Sequence, residues 1–94
     1  MAKGYVIITE DIKDPAGMVE YGKLASQTMG NAKVLSFGPV AETLEGEWHG
    51  TQTVLLEFES VETAKEWYYS DEYQQAAKLR QAVADCNGVI VSGI

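Results

Sequence analysis

Arg80 is the side chain whose position in the sequence most clearly suggests chemistry. It falls at helical spacing with Tyr73, Ala77 and Val83, in a stripe that is otherwise apolar or aromatic. A guanidinium in such a stripe requires a carboxylate or a bound anion to offset the cost of leaving water. The carboxylates that the sequence offers are Glu57, Glu45 and Asp11. Arg80 is therefore predicted either to form a structural ion pair that fixes its helix against the sheet, or to line a pocket for an acidic substrate.

Tyrosine side chains accompany Arg80 on the predicted inner faces of the helices. Tyr73 precedes it by seven residues, which is about 10 Å along a helix and puts both side chains on one face. Tyr21 and Tyr68 fall on the inner stripes of the other helical segments. Such tyrosines either pack in the core with one hydrogen bond for the hydroxyl, or contribute to a site. The predicted substrate-binding residues are Tyr21, Glu57, Tyr68, Tyr73 and Arg80.

His49 is the only histidine of the chain and the candidate for acid–base catalysis, since imidazole titrates near neutral pH. It follows Trp48 in a loop flanked by glycines, where we expect it at the mouth of the pocket. The alternatives are a catalytic or haem-contacting residue and a solvated loop residue. With no second histidine, no cysteine cluster and no glycine-rich phosphate loop in the sequence, neither a metal site nor a bound cofactor is predicted.

The charge and hydropathy patterns exclude two classes of partner. The chain has 14 acidic and 7 basic residues, a net charge of −7, and the basic residues are scattered singly. Such a surface repels phosphate backbones, so nucleic acid is not an expected partner. No apolar run approaches the ~20 residues of a membrane helix, and the first residues lead into a strand rather than a signal peptide. A cytoplasmic protein is predicted.

Cys86 is the single cysteine, so an intrachain disulfide is excluded. No lysine, arginine or histidine lies beside it in the sequence to favour the reactive thiolate. We therefore interpret Cys86 as a small buried hydrophobic residue rather than a reactive thiol.

The elements that must position these residues follow one another without a linker, so residues 1–94 are predicted to form one domain. Strands are predicted over residues 4–10, 32–45, 51–59 and 89–94, the second of them interrupted at Gly38-Pro39. A helix begins with Asp14 as its cap and ends at Gly30-Asn31. Ser60 and Ser70 cap two further helical segments, which are either separate or one helix with a kink.

The order βαββαβ predicts a ferredoxin-like α+β fold, with a four-stranded antiparallel sheet and helices on one face. The first and last strands carry branched or aromatic side chains on both faces, and we expect these strands at the centre of the sheet. Leaving several such side chains in water costs roughly 1.5–3 kcal/mol each. The sequence therefore predicts a homodimer in which two open sheet faces pack together, with a heteromeric partner as the alternative.

Several motifs carry a family resemblance. They are residues 44–48 (LEGEW), 57–58 (EF) and 64–74 (AKEWYYSDEYQ) leading to Arg80, with shorter matches at 4–5, 14–15, 21 and 89–91. On these residues, which span essentially the whole chain, it resembles the uncharacterised family called domain of unknown function 1330. The resemblance implies a dimeric α/β barrel, and it implies no settled activity. Relatives often carry an arginine before the glycine of the second strand, where this chain has Ser36-Phe37-Gly38-Pro39.

Two functional hypotheses follow. The first is a small dimeric barrel that binds or transforms a small organic molecule, with anions among the candidates, by monooxygenase- or isomerase-like chemistry without a bound cofactor. The second is a non-catalytic dimer, used for binding or structure, in which every polar group is paired internally. An open cavity touching Arg80 would favour the first, and a guanidinium bonded to a carboxylate in a filled core would favour the second.

Overall fold

The computed structural model describes residues 2–94. Its elements are β1 (Gly4–Ile12), α1 (Pro15–Ser26), β2 (Lys33–Pro39), β3 (Gln52–Phe58), α2 (Val61–Tyr69), α3 (Asp71–Val83) and β4 (Ala84–Ser92). This order confirms the predicted ferredoxin-like fold. The second helical segment is two helices rather than one, because Ser70 has an extended backbone and its side chain accepts a hydrogen bond from the Tyr73 N–H as the cap of α3.

The four strands form one antiparallel sheet in the order β2-β3-β1-β4. The expectation that the first and last strands share the centre is wrong for β4. Strand β3 pairs with one edge of β1 from Gly4 to Glu10. Strand β4, which follows α3, therefore pairs with the other edge of β1. Strand β4 is consequently an edge strand, and β1 and β3 are central.

Three element boundaries differ from the predicted ones by more than two residues. Strand β2 ends at Pro39, because proline has no N–H to continue the ladder, and residues 40–51 form a loop. Strand β4 begins at Ala84 directly after α3, so Asn87 and Gly88 lie within the strand instead of forming a turn. Helix α1 ends at Ser26, four residues before Gly30.

The helices cover one face of the sheet. Side chains at alternate positions of β1 and β3 point toward them, and the core residues include Val6, Ile8, Val54, Leu56, Phe58, Ala64, Trp67, Tyr73, Ala76 and Ala77. The molecule is two layers thick, with Cα extents of 36 × 33 × 16 Å. Within residues 2–94, none of the helices has the length and apolar character needed to cross a bilayer.

The other face of the sheet carries apolar side chains that no element of residues 2–94 covers. Strand pairing aligns Leu55, Ile7 and Val89 in one row across the sheet, and puts Tyr5 beside Val91 in the next. Val89 and Val91 are 54% and 43% exposed. We call this surface, made of these five side chains, the open face.

Candidate functional site

Arg80 borders a cleft of about 620 Å³ that lies between β4 and the two C-terminal helices. Helix α3 carries the side chain inward, so the residue is only 4% exposed. Its Nε atom is a buried donor without a hydrogen-bond partner, which is an uncommon and costly state for such a group. None of the ion pairs found among residues 2–94 includes Arg80.

The carboxylates proposed as partners of Arg80 lie elsewhere. The Asp11 carboxylate is 2.7 Å from Lys13 Nζ. Glu57 accepts a hydrogen bond of 3.3 Å from the Tyr5 hydroxyl on the open face, and Glu45 is exposed in the loop before β3. The structural ion pair predicted as one role for Arg80 is therefore not formed with any of the three.

Tyr21 and Tyr73 lie behind Arg80, away from the cleft. Their hydroxyl oxygens are 2.9 Å apart, and their rings meet edge to face with centroids 6.4 Å apart. The Arg80 Cζ atom is 5.8 Å from the centroid of the Tyr21 ring, within cation–π range. The structure thus brings together three of the predicted binding residues, of which only Arg80 reaches the cleft.

The buried surroundings shift the pKa values of these groups. Burial is the largest cause that raises the pKa of Tyr21 far above its usual range, followed by the adjacent Tyr73. Burial acts to lower the pKa of Arg80, but Tyr73, Cys86 and Tyr21 outweigh it and the net direction is upward. Arg80 therefore stays a cation and Tyr21 a neutral hydroxyl at any physiological pH.

Glu10 is a buried carboxylate whose pKa is affected by the charge of Arg80. It was not among the predicted partners of Arg80. It is 1% exposed, and its Oε1 accepts a hydrogen bond of 2.7 Å from Gln52 Nε2. Burial raises the pKa of Glu10, although the Gln52 hydrogen bond and the charge of Arg80 act to lower it. A signal was present: Val6, Ile8 and Glu10 alternate along β1, so Glu10 shares the inward-facing row.

Tyr68 and Cys86 complete the cleft wall beside Arg80. Both side chains line the cleft, and the substrate-binding role of Tyr68 stays a prediction. Cys86 is half-buried and lies beside the Arg80 guanidinium, because β4 starts immediately after α3 and folds back under it. The sequence shows no cation next to Cys86, and the fold brings one there from α3; the interpretation of Cys86 as a small hydrophobic residue stays a prediction.

Glu57 and His49 do not line this cleft. Glu57 pairs with Tyr5 on the open face, on the opposite side of the sheet from Arg80. His49 is not at the cleft mouth: its Nδ1 atom is 2.7 Å from Thr9 Oγ1, and its Nε2 atom is 3.6 Å from the Asp85 carboxylate. Thr9 follows the parity of Tyr5 and Ile7 along β1, so the histidine is anchored from the open-face side.

Among residues 2–94, no group of three or more histidine, cysteine, aspartate or glutamate side chains is close enough together to hold a metal ion. The cleft offers a guanidinium, a thiol, tyrosine hydroxyls and the amides of Gln81 and Asn87, with Asp85 also among its lining residues.

Family membership follows from the sequence over nearly its full length. The profile of the family described as domain of unknown function (DUF1330) matches residues 3–94. The chain belongs to the DUF1330 family. No protein with curated annotation is similar in sequence to this DUF1330 chain.

Solved structures share its fold at low sequence identity. A protein of unknown function from Rhodopseudomonas palustris is 18% identical, with a TM-score of 0.79 over 99% of this chain and 83% of that one. SnoaB, a cofactor-independent oxygenase from Streptomyces nogalater, is 5% identical, with a TM-score of 0.70 over 100% and 95%. A dimeric ferredoxin-like protein of unknown function from Thermobifida fusca is 12% identical, with a TM-score of 0.65 over 97% and 91%. These similarities establish the fold alone.

Proposed function

We propose that this DUF1330 protein is a homodimer that binds a small organic molecule with an anionic group in the cleft beside Arg80, without a bound cofactor. A reaction of the bound molecule, of monooxygenase or isomerase type, is the extension of the same proposal. The cofactor-independent oxygenase from Streptomyces nogalater is a precedent for such chemistry on this fold.

The observation that carries the proposal is the state of the Arg80 guanidinium. It is buried and borders an open cleft, and within residues 2–94 its Nε has no hydrogen-bond partner and the guanidinium takes part in no ion pair. A buried cation is costly unless a counter-charge or hydrogen bonds accompany it. An anion in the cleft would supply both, in the planar arrangement that guanidinium favours.

Glu10 does not remove this need. Burial is the largest influence on the pKa of the Glu10 carboxyl and raises it, although the charge of Arg80 acts to lower it. Among residues 2–94, no hydrogen bond or ion pair joins this carboxyl to the guanidinium, so Glu10 gives Arg80 no direct partner. This supports an anion as the ligand rather than a neutral molecule.

The dimer part of the proposal rests on the open face. A second copy packing sheet against sheet would bury the rows of Leu55, Ile7, Val89, Tyr5 and Val91. The Thermobifida fusca protein of similar fold is described as dimeric. The cleft lies on the opposite side of the sheet from this interface, so each subunit would keep its own site.

A thermal-shift screen of small carboxylic acids tests the binding proposal. We expect at least one acid to raise the melting temperature of the wild-type protein, since a ligand at 100 times its Kd stabilises the folded state by about 2.7 kcal/mol. Arg80→Met should abolish that shift. Lys78→Met is the matched control: it removes a cation from the same helix at an exposed position, and the shift should persist.

The screen also separates the proposal from its rival. If no acid shifts the wild-type melting temperature, or if Arg80→Met retains the full shift, the cleft is not an anion site and the non-catalytic dimer is the better description. Circular dichroism of Arg80→Met without ligand establishes that the variant is folded before its shifts are compared.

A further inference from the structure

Cys86 and Arg80 lie side by side in one cleft, although they belong to different elements. Helix α3 ends at Val83 and β4 begins at Ala84, so the chain reverses without a loop between the two residues. Both side chains line the cleft. Cys86 pairs in register with Glu10 of β1, which puts it on the helix side of the sheet and away from the open face. The thiol therefore remains accessible in the proposed dimer.

We propose that Cys86 is a nucleophile that acts with Arg80, and that the cleft takes small carboxylic acids with an electrophilic carbon near the carboxylate. This inference deepens the proposed function and rests on it. The thiolate is the nucleophilic form of cysteine, and a neighbouring guanidinium attracts both that anion and an anionic reagent. The unpaired Nε of Arg80, in a residue that is 4% exposed, is the independent sign that a ligand group belongs there.

The reaction class follows from the groups present. With an α,β-unsaturated acid, Cys86 Sγ forms a bond to the β-carbon, and the electrons of the carbon–carbon double bond move to the α-carbon. The proton released by the thiol ends on that α-carbon. Nothing is oxidised or reduced and no group leaves, so the addition requires no further reactant.

The other charged groups around the cleft do not oppose the binding of an anionic molecule beside Arg80. Asp85 is the one acidic residue among those that line it, and its carboxylate is turned toward His49 Nε2, 3.6 Å away. Glu10 lies behind Arg80 and is not part of the cleft wall. The net charge of the whole chain is −7, which by itself disfavours anionic reagents. A preference for an anion would therefore be a local effect of Arg80.

Alkylation by iodoacetate and by iodoacetamide tests the inference. The two reagents share a leaving group and nearly a shape, and differ in charge; in both, the Sγ–carbon bond forms, iodide leaves and the thiol proton goes to solvent. Cys86 is the only cysteine, so intact mass follows it alone. With each rate divided by that of 2-mercaptoethanol, we expect wild type to favour iodoacetate about tenfold, from the charge of Arg80 at short range.

The matched variants assign the preference to Arg80. Arg80→Met should remove it, and Lys78→Met should leave it unchanged. If Arg80→Met does not fold, the preference of the wild-type protein for iodoacetate over iodoacetamide still tests the inference. The carboxymethylated protein should melt at a higher temperature than the carbamidomethylated one, because only the former places a carboxylate beside the guanidinium.

The outcomes separate this inference from the proposed function. If the thiol is unreactive, or reacts with iodoacetate no faster than with iodoacetamide after normalisation, Cys86 is not the nucleophile. Reversible binding of unreactive acids in the thermal-shift screen would still stand in that case. If those acids also fail to shift the wild-type protein, both proposals fall together.

Discussion

At the scale of single residues, the buried polar groups distinguish this DUF1330 chain from a simple two-layer core. Glu10 and Arg80 are among the most deeply buried side chains, yet no hydrogen bond or ion pair joins them directly. Each has neutral neighbours instead: Gln52 Nε2 donates a hydrogen bond to Glu10, and Tyr73 and Cys86 lie close enough to Arg80 to affect its pKa. Such a cluster makes the stability of the core depend on pH, because burial raises the pKa of Glu10.

Glu10→Gln should change the pH dependence of stability. Burial raises the pKa of Glu10 above its ordinary value of 4.5, so the folded protein binds this proton more tightly than the unfolded chain. The contribution of Glu10 to stability is therefore greatest below pH 4.5 and is lost as the pH rises through the raised pKa. We expect the free energy of unfolding of Glu10→Gln, relative to wild type, to increase between pH 4.5 and 7.

Urea denaturation across that pH range measures the difference. Glu59→Gln removes an exposed carboxylate and separates the effect of burial from the loss of one charge. If the free energies of unfolding of Glu10→Gln and wild type change with pH in parallel, burial does not raise the pKa of Glu10.

The site was predictable where helical spacing decides and unpredictable where pairing in space decides. Seven-residue spacing correctly put Tyr73 and Arg80 on one side of α3. Glu57 was assigned to the wrong side of the sheet. Its position between Leu56 and Phe58 in the strand already indicated that it faces away from the row of buried apolar side chains. The contact of Cys86 with Arg80 depends on the abrupt change of chain direction between α3 and β4. No local sequence pattern predicts that change of direction.

At the scale of elements, turn chemistry explains most of the boundaries. The cap residues Asp14, Ser60 and Ser70 were identified correctly, since a side chain that accepts from free N–H groups is a local requirement. Strand β2 was predicted too long because its later apolar residues resemble a strand, whereas Pro39 ends the pairing. Which side of β1 receives β4 is a matter of topology that strand composition cannot specify.

Helix α1 provides a matched pair of glycines for a test of packing. A methyl group added at Gly22 would meet no atom within 4 Å, while at Gly17 it would collide with the Val83 side chain. Gly22→Ala should therefore stabilise the protein by up to about 1 kcal/mol through helix propensity. Gly17→Ala should lose that gain to overpacking, at a cost of about 1–3 kcal/mol.

Thermal or urea unfolding of the two variants provides the comparison, because both make the same chemical change in the same helix. Equal stabilisation by the two substitutions would mean that α1 does not pack against the end of α3 as closely as the Gly17–Val83 contact requires.

At the scale of the whole molecule, the open face is the observation behind the dimer proposal. Helices shelter one side of the sheet, and a chain of 94 residues has little surplus stability with which to leave the other side in water. Because β4 is an edge strand rather than a central one, Val89 and Val91 extend this apolar surface to the margin of the sheet. A sheet-on-sheet dimer would cover it from β3 to β4.

Val89→Asp should weaken that dimer. Val89 is 54% exposed on the open face and Val19 is 58% exposed on α1, in the helix layer, so Val19→Asp makes the same change at matched exposure on the other side of the molecule. An aspartate buried between two sheets would remain an unpaired charge, a cost of several kcal/mol. Light scattering at micromolar concentration should therefore give twice the chain mass for wild type and Val19→Asp, and a smaller average mass for Val89→Asp. A wild-type protein that is monomeric and fully folded under these conditions would contradict the dimer, and a dimer unaffected by Val89→Asp would place its interface elsewhere.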